Sequence, residues 1–185
     1  MASEYAGGRN GFGELPSPAE LLRAFRADPA GRDHAVLEAA HALVQCHERR
    51  RYAQQAAHAP DASSSRVAAC SQIVDDIDVT RARLVVRINT WVTDNIRHRT
   101  GASLHTETLG DVIDRMAAKW VAAQHALGLP TPTARIDTRS RMSVLSHQGV
   151  DSEAHLQWVR LAELADGYQD LITDVAEHRR RLPVF

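Results

Sequence analysis

The side chains best equipped for chemistry crowd one stretch, "IVDDIDVTRARLVVRINTW", residues 73–91, which holds Asp75, Asp76, Asp78 and Arg81. The stretch reads as a helix with an apolar side. At about 100° per residue, with Ile73 at zero, Val74, Ile77, Leu84, Ile88 and Trp91 fall within roughly 0–100°. Arg81 falls near 80°, inside that stripe, and Asp78 near 140°, at its edge. Asp75 and Asp76 point away, which leaves Asp76 to solvent. A buried guanidinium costs several kcal/mol unless it is paired and hydrogen-bonded. Arg81 therefore demands partners. It can snorkel outward beside Asp78, three residues earlier, in a weak surface pair. It can form an ion pair that ties helices together, or it can bind an anionic ligand.

A second set lies in "LHTETLGDVIDRM", residues 104–116. Glu107 and Thr108 form a helix start, the threonine as cap and the acid near the positive helix end. Asp114 falls beside the Val112–Met116–Trp120 stripe, so it can meet Arg81 across a helix interface. In the preceding region, His34, Glu38, His41, Gln45, Glu48 and Tyr52 line one polar helix face, expected to be solvated. Glu38 and His41 make one Glu-x-x-His, but a di-metal bundle site needs a second copy. Cys46 and His47 are adjacent, so their side chains diverge on a helix and do not form a catalytic pair. Gly167 interrupts a helix at a cost of about 1 kcal/mol relative to Ala, which close helix packing, the expectation, or close approach of a ligand would explain.

The elements that position these residues are helices. "SPAELLRAFRA" starts a short one, with Ser17 as cap, Pro18 in the first turn and Glu20 completing a capping box. No Gly or Pro occurs from Arg32 to Ala59, which predicts a second helix with Asp33 as its cap. The next Gly- and Pro-free run predicts a third from about Ser64 to His98, roughly 50 Å long. A fourth is expected over 108–127, and a fifth over "SEAHLQWVRLAELADGYQDLITDVAEH", where Leu161, Leu164, Tyr168, Leu171 and Val175 repeat at helical spacing. No alternating strand pattern appears. The expected class is all-α, an antiparallel bundle of four long helices plus a short N-terminal helix. Residues 1–16 read as a flexible tail and 17–182 as a single bundle domain. Within it, 128–150 reads as a long irregular connector and a candidate lid, with Ile136, Met142, Val144 and Leu145 as packing anchors.

Composition narrows the function classes. The 185 residues carry a formal net charge of −1, with acids and bases interspersed, unlike a dedicated nucleic-acid binder. The "HRRR" run at 178–181 is short and suits the C-terminal dipole of the last helix. Two cysteines, Cys46 and Cys70, make neither a disulfide framework nor a thiolate zinc site. The opening residues lack the pattern of a signal peptide, and no run is long and apolar enough for a membrane span. The expected setting is cytoplasmic, without a nucleic-acid or membrane partner.

"VDDIDVTRARLVVRINTW" and "LHTETLGDVIDRM" together resemble a bacterial family known as domain of unknown function 4254. Val74, Asp75, Ile77 and Arg81 match the first family pattern. Asp78 and Ala82 each replace an asparagine. Leu104, Glu107, Thr108, Gly110, Ile113, Asp114 and Arg115 match the second, with His105 in place of an asparagine and Leu109 in place of a proline. The closing "LAELADGYQDLITDVAEHRRRLP" resembles actinobacterial members. The resemblance implies a helical fold and a bacterial cytoplasmic setting. It implies no activity and no cofactor.

Three functions remain open to test. The first is a small-molecule binding protein or biosynthetic enzyme with a polar site between helices. There Arg81 and Arg115 would bind an anionic ligand, and Asp78, Glu107 and Asp114 would be the catalytic candidates. The second is a non-catalytic homodimeric assembly module whose buried charges fix helix packing. The third is a metal-binding bundle using Glu38, His41 and Glu48.

Overall fold

The structure is a computed structural model that describes residues 14–29, 34–128 and 147–183, with the backbone alone for 147–152. Asp33 as a cap, most of the 1–16 tail and most of the 128–150 connector lie outside the described residues. The chain is all-α: α1 (Pro18–Arg26), α2 (Ala35–Ala57), α3 (Ser64–Asn95), α4 (Leu109–Ala126) and α5 (His147–Ala176). Two short strands, β1 (Ser103–Leu104) and β2 (Arg180–Arg181), pair in parallel.

Local chemistry starts these helices where the sequence places the caps. The Ser17 hydroxyl accepts from the Glu20 amide, and the Glu20 carboxylate reaches back to the Ser17 amide at 2.9 Å. Ser63 caps α3 through the Arg66 amide, and Thr108 caps α4 through the Asp111 amide. Three boundaries differ from expectation. Helix α3 ends at Asn95 rather than near His98, because Ile96 turns to an extended conformation. Helix α5 begins at His147, inside the expected connector. The α2 cap position falls to His34, which supplies no side-chain cap.

Register follows from cross-helix contacts. Glu38 meets Arg87 and Arg50 meets Asp78, so α2 and α3 run antiparallel. Arg81 meets Asp114 while Gly110 packs on Val85 and Asn89, so α3 and α4 also run antiparallel. Helix α5 lies along α4, and α1 bridges α2 and α5. Core residues come from all five helices, among them Phe25, Leu43, Ile88, Ile113, Met116 and Tyr168. Trp120 sits 6.1 Å from Phe25 and 5.8 Å from Trp158, ring to ring, joining α1, α4 and α5. The Tyr168 hydroxyl donates to the Pro16 carbonyl at 2.7 Å, which satisfies a buried phenol. Burial pushes that phenol's pKa far up.

Helix α3 contributes less to this core than its stripe suggests. Ile77, Ile88 and Val92 are buried, but Ile73 is 45 % exposed. The expected stripe is therefore narrower, because α2 and α4 together cover only the inner side of this long helix.

Gly167 overturns the expectation of close packing. A methyl group built there meets nothing within 4 Å. The close contact is at Gly110 instead, where an added Cβ would lie 2.6 Å from the Val85 carbonyl oxygen. Gly167→Ala should therefore stabilise the protein by about 0.5–1 kcal/mol, by removing backbone freedom from the unfolded chain. Thermal unfolding should show a midpoint raised by about 2 °C.

Beyond α5, His178 adopts a left-handed conformation, φ 58°, with the Arg179 amide bonded to the Asp174 carbonyl and the His178 amide to the Val175 carbonyl. This is a Schellman closure of the helix end, formed without glycine. It turns the chain so that β2 reaches β1. The two strands are too short to leave an alternating pattern, which is why the sequence shows none.

Candidate functional site

The charged residues that sequence reasoning brought forward do meet, between α2, α3 and α4. Arg81 lies on the inward side of α3, one turn beyond buried Ile77. Asp114 projects from α4 one turn after Gly110, whose missing side chain lets the two helices approach. The guanidinium uses all three nitrogens. Nη2 donates to Asp114 Oδ2 at 2.5 Å, Nε to Asp114 Oδ1 at 3.3 Å, and Nη1 to Asp78 Oδ1 at 2.8 Å. Arg50 of α2 adds a second cation, its Nε 3.2 Å from Asp78 Oδ1 but not aligned as a hydrogen bond. The interhelical ion pair with Asp114 is present, and so is the local pair with Asp78.

Sequence reasoning missed one member. His47 Nε2 lies 2.8 Å from Asp114 Oδ1. Both oxygens of Asp114 are therefore taken from within the chain. Burial is the largest influence on this carboxyl and pushes its pKa up, but the hydrogen bonds from His47 and Arg81 outweigh it and hold the group below its ordinary range. Asp114 is thus ionised, and His47 carries its proton on Nε2. The hydrogen bonds Arg81 donates to Asp114, aided by the one to Asp78, raise its pKa against the opposing effect of burial. The signal for His47 was its place one turn from Arg50 and Arg51 on a helix facing α4. Its neighbour Cys46 drew attention instead. Cys46 is buried, and burial pushes its thiol up despite Arg49 and Arg81, so it is no activated nucleophile.

Glu107 and Arg115, expected to join this group, form a pair of their own. Arg115 Nη1 and Nη2 donate to the two Glu107 oxygens at 2.6 and 2.7 Å. The pair is substantially exposed and contributes about 1 kcal/mol or less.

The metal alternative separates in space. Glu38 bonds Arg87, and His41 Nδ1 lies 2.8 Å from the Ala24 carbonyl oxygen. Glu48, expected on a solvated face, is 3 % exposed. Among the described residues no three His, Cys, Asp or Glu side chains converge on a metal position.

A cleft of about 610 Å³ lies elsewhere, where the ends of α3 and α5 meet residues 14 and 15. Ile96, Ile172 and Val175 give it apolar walls, and Arg97 and His178 polar ones. None of the Arg81 network lines it.

A family model described as Protein of unknown function (DUF4254) matches residues 37–184. The match spans all of the Arg81 network and the Glu107–Arg115 pair. Neither a comparison with curated proteins nor one with solved structures returns a match. No helix among the described residues is long and apolar enough to cross a membrane.

Proposed function

The chain belongs to the DUF4254 family, and from its geometry we propose that it is a non-catalytic helical assembly module, homodimeric, in which internal charges fix how the helices pack. One observation carries this reading. Every guanidinium nitrogen of Arg81 already donates to an internal carboxylate, and both Asp114 oxygens are occupied. An arginine that binds a ligand anion turns its two-donor edge to it, whereas the Nε–Nη2 edge of Arg81 is turned to Asp114. Arg115, the other candidate, is likewise clasped by Glu107. A network bridging three helices suits the registry role of buried ions instead.

Sedimentation equilibrium of the purified chain tests the proposal. The expected result is a reversible dimer in the micromolar range. A monomer at every concentration up to the solubility limit would sink it.

A second reading, that of a small-molecule binder, is favoured by the cleft between the ends of α3 and α5. Its size and mixed walls suit a small ligand. That reading places the ligand at the cleft and not at Arg81.

A further inference from the structure

Helix α3 spans 32 residues, about 48 Å, and turns one side to α2 and α4. Its opposite side carries Gln72, Asp76, Val79, Arg83, Val86 and Thr90, all exposed. Their spacing alternates four and three residues, the seam of a helix that packs on another helix. Val79 and Val86 are 51 % and 61 % exposed, high values for apolar residues at the middle of a seam.

The charges on this seam identify what it fits. Asp76 stands three residues before Val79, and Arg83 four residues after it. Seven residues apart, they lie about 10 Å from each other along the helix, too far to pair within it. The Asp76 carboxylate accepts a Gln72 amide at 3.2 Å, and among the described residues neither Asp76 nor Arg83 forms an ion pair. A two-fold axis perpendicular to α3 beside Val79 puts Asp76 of each copy opposite Arg83 of the other. The surface is then complementary to itself, as an isologous interface must be. A parallel pairing would set Asp76 against Asp76 and Arg83 against Arg83, which opposes it.

Resting on the assembly reading, we propose that the partner is a second copy of this chain, docked antiparallel on the outer face of α3. Val79 lies at the dyad, and Asp76–Arg83 pairs lie on either side of it.

Charge exchange tests this in the full chain by sedimentation equilibrium, with circular dichroism to verify the fold. Asp76→Arg and Arg83→Asp should each weaken the dimer about tenfold or more, since each sets two like-charge contacts across the dyad. The double exchange, Asp76→Arg with Arg83→Asp, should restore affinity close to that of the natural chain. Val79→Glu should give a monomer that remains helical. A dimer indifferent to these substitutions would overturn the surface while leaving the assembly reading intact. Weakening by both single variants without rescue by the double would overturn the antiparallel pairing. A monomeric natural chain would overturn both readings together.

Discussion

Replacing Arg81 with Met should lower stability by about 2–4 kcal/mol, because it leaves Asp114 as a largely buried carboxylate that has lost its main cation. The loss is a stranded charge more than a lost attraction. Hence Arg81→Met combined with Asp114→Leu should recover much of the deficit, since an apolar pair of similar volume needs no counter-ion. Urea unfolding of the two variants is the measurement. A single variant as stable as the natural chain would show that the network carries no structural weight. The acid limb gives a second check. Asp114 titrates below its unfolded value of 3.8, so the unfolded chain binds the extra proton. The stabilisation is complete above that value and is lost as pH falls through the folded pKa. Removing Arg81 takes away part of what holds the group down, so the folded value moves toward the unfolded one and the acid-dependent loss should shrink.

Gly110→Ala should cost about 1–3 kcal/mol, although alanine is the better helix former by about 1 kcal/mol. The added methyl would lie 2.6 Å from a backbone oxygen of α3, at Val85, and 2.8 Å from Asn89 Oδ1. A backbone atom cannot rotate aside, so one helix must move. The same oxygen of Asn89 accepts the Gly110 amide at 2.9 Å, so movement also disturbs the start of α4. Urea unfolding read beside Gly167→Ala makes an internal control, with the same substitution giving opposite signs at the two sites. A neutral Gly110→Ala would mean that α3 and α4 slide freely past each other.

The two glycines also show where sequence reasoning succeeds and fails. The helices were legible because their starts are local chemistry: Ser17 with Glu20, and Thr108 with the amide three residues on. Arg81 was legible as an anomaly because one cation inside an apolar stripe breaks the period. Asp114 was legible as its partner because it lies at the edge of the α4 stripe, where a side chain can reach across a helix interface. His47 was not, since its partner lies 67 residues away and Arg50 and Arg51, one turn on, do not name that partner. Glu48 and Gly167 were misjudged together. A polar residue on a polar face can still be covered, as Glu48 is, when another element crosses that face. A glycine in a helix can equally stand in open space, as Gly167 does. In both cases the deciding neighbour is tertiary.

The bond from Tyr168 to the Pro16 carbonyl spans 152 residues of chain. Helix α5 is made after the other four helices, so during synthesis α1 waits beside α2 with part of its bed absent. The α2–α3–α4 unit closes over shorter loops and meets a lower entropic barrier. Folding should therefore proceed from the α2–α3–α4 unit outward, with α1 settling only once α5 is in place.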